Sequence, residues 1–474
     1  MPGLFNTLNL GVRSLQAQQA AVEIAGQNLA NVNNRAYARQ RVQMQTSPTV
    51  DGGIGPQGTG VQAVAIQQMR DALVDRQIRS EASIGGYLTA QQSALQKAQV
   101  SLGEFIDRNA DAINGAADGT GATSGMADDL TELFNGFQRV ATSPTSLTER
   151  QVLLDNAQTL ALRFNQTAER FTKLSEDVDE AVAIDVTAAN QLLQDLTTLN
   201  DSIMTAELGG KFSANDLRDI RQQKLEELGK LVTFGAVENS NGTVDVTIGG
   251  VSMISGNQLQ DSIQVFDAGG GQMLLRATSA GTPLTITSGA IQGTIEVRDG
   301  ALKTLRDGLN NLANTLITDI NTLHRAGYSL TGTTGEDFFT GTDATDIKVN
   351  TTLKGNPALV QAAGVAGEVG NNSVARALAQ LAKDSRAALD NQTFSGAYGA
   401  IVATLGHELS TANNQLSQHE AVTAMLQRQR DSVSGVSIDE EMTDLVRFQH
   451  AYEASARIIS TVDEMIQTVL AMKR

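Results

Sequence analysis

The sequence contains no cysteine and no tryptophan. The first absence excludes disulfides, thiol chemistry, thiolate metal sites and iron–sulfur clusters, and it leaves the redox compartment open. Only four histidines occur (His324, His407, His419 and His450), without an H-x-x-x-H or H-E-x-x-H pair, so little is present to hold a metal and no cofactor is expected. Aromatic residues are 4% and charged residues 18% of the chain, the latter below the usual quarter or so. No apolar run reaches the roughly 18 residues that a membrane-spanning helix needs, so no membrane insertion is expected. With 35 basic and 52 acidic residues the formal charge is -17. A phosphate-tracking surface would work against that field, and nucleic acid is not an expected partner. The opening Met1-Pro2-Gly3-Leu4-Phe5-Asn6 lacks the basic and then apolar pattern of a cleavable secretory signal, so export would take another route.

What fills the chain is glycine (44 of 474 residues) with many Ala, Gln, Asn, Ser and Thr. The length suits about three domains, strung along one axis if the protein is elongated. A helix is predicted over about 4–32, ended by Asn28, Asn31, Asn33 and Asn34, whose side chains compete for backbone hydrogen bonds. Strand-like runs at Arg41 to Gln45 and from Val61 flank a Pro/Gly-rich stretch. A helical tract from Asp71 to Asp107 carries a seam through Ile84, Leu88, Leu95, Ala98, Leu102 and Phe105, with Gly85-Gly86 as a break or close-packing point. Helix continues from Met126 to Leu208, interrupted at Ser143-Pro144, and again from Ala214 to Val232. The period then changes to 2. Val237 to Val251 reads as a hairpin with a type I′ turn at Asn241-Gly242, strand-like pieces follow at Ser262–Phe266, Met273–Thr278 and Leu284–Thr287, and the β region ends near Gly293 to Arg298. Helices return at Leu302–Leu323, Ser373–Leu389, Ile401–Asp431 and from Ile438 onward.

The two ends carry the clearest pattern. Phe5, Leu8, Val12, Leu15, Val22 and Leu29 recur with a 3,4 spacing, weakened at Gln19 and Gly26. At the other end Ile438, Leu445, Phe448, Tyr452, Ile459, Val462, Ile466 and Val469 keep the same spacing, interrupted only by Glu441 and Ser455. Ser437 with Glu440 forms a capping box, and the helix they open is about 50 Å long at 1.5 Å per residue. Apolar residues off the seams, Leu4, Leu10 and Ile24 on one helix and Val446 and Ile458 on the other, make stripes too wide for one partner helix. Further partners, other subunits among them, are therefore expected.

The N-terminal stretch Gln18–Gln40, QQAAVEIAGQNLANVNNRAYARQ, and the C-terminal stretch Ser434–Leu470 resemble the paired signatures of the rod, hook and hook-associated proteins of the bacterial flagellum. Three internal segments, Arg150–Asn165, Leu225–Gly250 and Leu309–Phe339, place the resemblance with the hook-associated members. Asn34-Arg35-Ala36 stands where the family usually has Thr-Pro-Gly or Thr-Ala-Gly before the Tyr, which removes a residue tolerant of positive φ. The outer region is also short for the family, so one outer domain is expected with a reduced second around Thr331–Gly370.

The resemblance implies an α+β, elongated fold: a long helical bundle or coiled coil formed by the N- and C-terminal regions, with an inserted outer β-rich domain. Residues 1–70 would be the N-terminal axial helix with a loop or ribbon, 71–233 the first part of a helical rod domain, and 234–298 the outer β domain. Residues 299–326 would be a connecting helix, 327–372 a mixed irregular and β segment, 373–434 the second part of the rod domain, and 435–474 the C-terminal axial helix. It also implies a non-enzymatic structural subunit between hook and filament, secreted to the extracellular flagellum and transiently cytoplasmic. Its partners would be itself in a tubular or ring-like assembly, hook protein, a second hook-associated junction protein, a cytoplasmic export chaperone and the flagellar type III export apparatus. The two apolar seams would pack subunits along the axis, and Ile438, Leu445, Tyr452, Ile459 and Ile466 would bind the chaperone.

Other readings stay open at this point: a paralogous hook or distal rod protein, an enzyme domain on an axial scaffold, and a cytoplasmic coiled-coil protein. Gly53-Ile54-Gly55-Pro56-Gln57-Gly58 matches a dinucleotide-loop spelling but lacks a helix behind it. The loop near Asp118 lacks calcium ligands at Ala122 and Ala127.

Overall fold

A computed structural model describes residues 2–52, 55–103, 125–209, 213–269 and 272–472. The loop near Asp118, Phe105, the first two residues of the glycine pattern at 53–58, and Lys473-Arg474 lie outside the described residues.

Helix α1 (Pro2–Ala30) ends where the asparagines gather, with the Asn31 side-chain amide donating back to Gln27 O at 3.0 Å. An antiparallel ribbon follows, β1 (Gln40–Thr46) against β4 (Val61–Gln68), with the small hairpin of β2 (Val50–Gly52) and β3 (Gly55–Gln57) between them in sequence. Helix α2 (Ala72–Leu102) starts at Asp71, whose carboxylate accepts from Leu73 N and Val74 N, and ends at Gly103 in the left-handed region, φ 75°. It runs unbroken through Gly85-Gly86, so this pair is a close-packing point: a Cβ on Gly86 would sit on the Lys230 carbonyl, and one on Gly85 would meet His419 Nε2 at 2.6 Å.

Helices α3 (Met126–Thr142) and α4 (Leu147–Ala206) flank the Ser143-Pro144 turn, and the 60 residues of α4 extend about 90 Å at 1.5 Å per residue. Arg150, only 1% exposed, fastens that turn. Its guanidinium donates to Pro144 O through Nε (3.0 Å) and Nη2 (2.7 Å), and to Val360 O through Nη1. Backbone carbonyls are its hydrogen-bond partners, so burial pulls its pKa down to about 10.

After α5 (Asn215–Leu231), strands β5 (Gly235–Glu238), β6 (Val244–Ile248), β7 (Val251–Ser255) and β8 (Gln258–Leu259) form a four-stranded meander, followed by a β9 (Ile263–Asp267) and β10 (Met273–Ala277) hairpin. Val244, Val246, Ile248 and Ile254 form one core with Val182, Val186 and Leu193 of α4 and with Leu225 and Leu228 of α5. The expected type I′ turn is not formed. Gly242 has φ 83°, but Asn241 is not in the left-handed region; its side chain instead accepts from Thr243 N in a longer loop.

Two further expectations change. Gly293–Arg298, taken as the end of the β region, is mostly helix: α6 (Ala290–Val297) continues through a π-helical turn (Arg298–Leu302) into α7 (Lys303–Arg325). Its Ile291, Thr294, Ile295 and Val297 read as strand by propensity, but burial of Ile291 and Ile295 in the core with α4, α5 and the β domain, with Gly293 close against Tyr87 of α2, overrides a preference worth under 1 kcal/mol per residue. The stretch expected to hold a reduced second outer domain is instead an inlay of the helical core. It holds a two-residue strand pair, β11 (Phe339–Thr340) with β12 (Lys348–Val349), and the short α8 (Thr351–Gly355). Phe338, Phe339, Ile347 and Leu353 are fully buried with α3, α4 and α7. His324 sits there too, Nδ1 on Glu336 O at 2.7 Å and Nε2 accepting from Gln361 N at 2.9 Å; burial first of all pushes its pKa down to about 4, so the ring is a neutral core group.

Helix α9 (Ser373–Gln380) stops short of the expected Leu389: a turn follows at 381–383, and Ala387–Leu389 is a separate 3-10 turn in a loop where Asp390 and Asn391 have φ 52° and 60°. Helix α10 (Phe394–Ser434) then starts earlier than Ile401, at the Thr393 cap, and α11 (Ile438–Ala471) follows the Ser437 cap. Helix α10 returns antiparallel along α2, with Gln92 Nε2 donating to Asn413 Oδ1 at 2.6 Å.

Candidate assembly surface at the paired termini

Helices α1 and α11 pack antiparallel: Gly11 abuts Ile459, Ser14 Oγ lies 2.9 Å from Ser455 Oγ, and Asn28 Nδ2 donates to Glu441 Oε2 at 3.0 Å. On α11 the face toward α1 is the one marked by its apolar spacing. Val462 is buried, Leu445, Phe448, Ile459, Ile466 and Val469 are half-buried, and Ile438 (52%) and Tyr452 (38%) are exposed. The two interruptions of that spacing, Glu441 and Ser455, are among its three buried residues.

On α1 the face toward α11 is different. It consists of Gly11, Ser14, Gln18, Ala21, Ala25 and Asn28, small or polar residues one position before the apolar series. A Cβ on Gly11 would meet Ile459 Cγ1 at 2.8 Å, so the close approach depends on glycine. A second face is occupied by the ribbon, where Gly60 lies against Leu10 and Arg13 Nη1 donates to Thr59 Oγ1 at 3.4 Å; Ala17 and Ile24 continue that series and are buried. Successive residues of a helix are about 100° apart. The third face therefore holds Phe5, Leu8, Val12, Leu15, Val22 and Leu29. Phe5 is 57% and Val12 40% exposed, and the other four are half-buried. Two faces of α1 are covered by its own chain, and the most apolar one is left over.

The base of the pair is a buried polar joint. Glu441 takes Arg39 Nε on Oε1 at 2.6 Å and Asn28 on Oε2. Arg39 Nη1 reaches Glu440 at 2.6 Å, so the Glu440 carboxylate is turned toward Arg39 while Ser437 Oγ caps Glu440 N at 3.5 Å. Asn28 is saturated: Nδ2 also donates to Gln40 O (2.9 Å), and Oδ1 accepts from Gln40 N (3.0 Å) and Tyr37 OH (2.8 Å). Arg39 N donates to Ser434 O at 2.9 Å, and Ala38 N to Asp219 Oδ2 at 3.2 Å. Arg70 closes the circuit on Asp219 (2.8 Å) and Asp75 (3.2 Å). Burial pushes the Asp219 carboxyl up to about 6 against the pull of Arg70, and it pushes the Tyr37 hydroxyl up further, with Asp216, Asp219 and Glu441 adding to the effect. This joint welds α1, the ribbon, α2, α5, α10 and α11 together at one point, and it uses the residues Asn28 to Gln40 and Ser434 to Glu441 of the two terminal motifs. Hydrophobic spacing cannot find it; the only local signals were the asparagine cluster and the polar interruption at Glu441.

Among the described residues no cluster of three or more His, Asp or Glu is placed to hold a metal, and no helix is long and apolar enough to cross a membrane.

Residues 119–339 match the model of the flagellar hook-associated protein FlgK helical domain, and residues 427–472 match that of the flagellar basal body rod FlgEFG protein C-terminal region. Over 99% of its length the chain is 27% identical to flagellar hook-associated protein 1 of Bacillus subtilis, of which it covers 98%. The chain is similar to flagellar hook-associated protein 1 over nearly its whole length. Its Escherichia coli relative is 23% identical, with 98% of this chain and 99% of that one covered. The flagellar hook junction protein FlgK from Burkholderia pseudomallei shares the fold, with a TM-score of 0.62 at 16% identity over 76% of this chain and all of that one. The first match spans α3 to α7 with the β domain, and the second covers the end of α10 and all of α11, so the joint links the two matched regions.

Proposed function

We infer that this chain is a structural subunit of the bacterial flagellum that joins hook to filament, and that its work is assembly and not catalysis. Similarity to hook-associated protein 1 along nearly the whole chain supports the placement in the extracellular flagellum and the association with hook components. The observation that carries the mode of action is the uncovered third face of α1. Fully burying an exposed Leu, Val or Phe side chain contributes roughly 1.5–3 kcal/mol, so Phe5 and Val12, with the remaining exposed area of the four half-buried positions, suffice to drive packing of copies along the axis. Beside Ile438 and Tyr452, the exposed Met442, Val446, Ile458, Met465 and Leu470 of α11 lie on both flanks of its seam and widen the surface on offer.

The same surface explains two further partners. Toward the filament, a second hook-associated junction protein would continue the axial packing. Before export the chain would be held in the cytoplasm by a chaperone that takes Ile438, Leu445, Tyr452, Ile459 and Ile466. Three of these are half-covered by α1 in the folded chain, so the chaperone would engage α11 before α1 pairs with it and pass it to the type III export apparatus. Unpaired, such a helix is only marginally stable in water, which suits a chain exported unfolded.

Deleting the gene should leave cells with completed hooks, no filaments and flagellin released to the medium. Normal filaments on the deletion strain would overturn the reading.

A further inference from the structure

We propose that the two buried polar layers between α1 and α11 set the register of the terminal pair, with Asn28, Arg39 and Glu441 as the determining residues. The inference is independent of what the assembled protein joins. The α1 face that receives α11 has little relief apart from Gln18, whose side-chain oxygen is buried: Gly11, Ala21 and Ala25 are small, and the side chains laid on the face (Leu445, Phe448, Ile459, Val462) are all apolar. A strip of low relief facing a heptad-spaced ridge accommodates the ridge equally well one heptad along in either direction. Beside the close approach of Gly11 to Ile459, two polar contacts break that equivalence. Ser14 meets Ser455, and Asn28 meets Glu441, and the two contacts are fourteen residues apart on both helices, two heptads.

Either slip by seven residues destroys both contacts at once. One slip places Glu441 opposite Ala21 and Ser14 opposite Phe448; the other places Asn28 opposite Phe448 and Ser14 opposite Val462. Each leaves the Glu441 carboxylate or the Asn28 amide buried against hydrocarbon, away from the partners that saturate it. Arg39 makes the penalty steep, because it is 8% exposed and Glu441 is its buried counter-charge. A buried polar group at one core position is an established means of fixing register in coiled coils. Here one such layer is anchored to the joint and the second, at Ser14, repeats the setting further out along the pair.

The absence of cysteine allows a direct test on the full chain. Three pairs are introduced separately: Ser14→Cys with Ser455→Cys, with Phe448→Cys, or with Val462→Cys. With the joint intact, the 14–455 cross-link forms and the other two do not. In an Asn28→Leu/Glu441→Leu background, the 14–455 product falls several-fold and the 14–448 or 14–462 product takes its place. An Asn28→Gln/Glu441→Gln background, which keeps hydrogen-bonding groups in the layer, retains more of the 14–455 product than the leucine pair does. Exclusive 14–455 cross-linking in the leucine background would overturn the proposal, since apolar packing and chain connection would then set the register alone. Loss of all three cross-links in that background would also overturn it, because the joint would then fasten the pair without choosing its register.

Discussion

Phe5→Asp combined with Val12→Asp should leave the free protein as stable as before and abolish its incorporation into flagella. Both side chains are on the α1 face that neither α11 nor the ribbon covers, and substitutions at such positions typically shift folding stability by no more than about 0.5 kcal/mol. In the assembly the same positions would be buried. Losing two apolar contacts removes roughly 3–6 kcal/mol per subunit, which is on the order of a hundredfold or more in association, and an aspartate without a partner adds a desolvation penalty of several kcal/mol. Thermal unfolding of the purified variant and motility of cells carrying it as their only copy separate the two effects. A variant whose monomer unfolds early would mean that the face is part of the fold; a variant that swims normally would mean that it is not an assembly surface.

Gly86→Ala should destabilise the protein by on the order of 3 kcal/mol, at the upper end of what inserting one buried methyl usually costs. The reason is the neighbour. The added carbon would fall on the Lys230 carbonyl, which is backbone at the end of α5 and has no rotamer by which to withdraw. The cost would propagate to Gly289, where a Cβ would meet Leu231 O at 2.6 Å, because both glycines bring their own segments against the same end of α5. Gly26→Ala is the control. It lies inside α1, about one turn before its C-terminal end, and a methyl group added there would have no neighbour within 4 Å, so it should gain up to about 1 kcal/mol from helix propensity. Denaturant unfolding of the two variants measures both; equal stabilities would contradict the close-packed crossing.

The helices were legible because their apolar spacing is regular and their ends are chemically marked. Ser437 marked the start of α11, whereas the Thr393 cap went unread and α10 begins seven residues before the expected Ile401. On α11, whose face toward α1 is built from Leu, Phe, Ile and Val, apolar spacing and packing face coincide. On α1 they do not, since the face that packs is Gly, Ser, Ala and Asn, and small residues that permit close approach leave no trace in a hydrophobic pattern. The pattern there marks instead the stripe that the chain leaves uncovered. The α6 helix was invisible for a related reason: its β-branched residues favour a strand locally, and only contact with α2, some two hundred residues away, decides otherwise. The joint could not be read at all from spacing, because Asn28, Arg39, Asp219 and Glu441 meet only after the fold is complete.

The central claim is that the third face of α1 is open in the single chain and closed by neighbouring copies. Val12→Cys, the only thiol in the protein, tests it by maleimide labelling of the purified subunit and of isolated hook–filament particles. The account predicts prompt labelling of the free subunit and protection in the particles. Equal labelling in both states would contradict it.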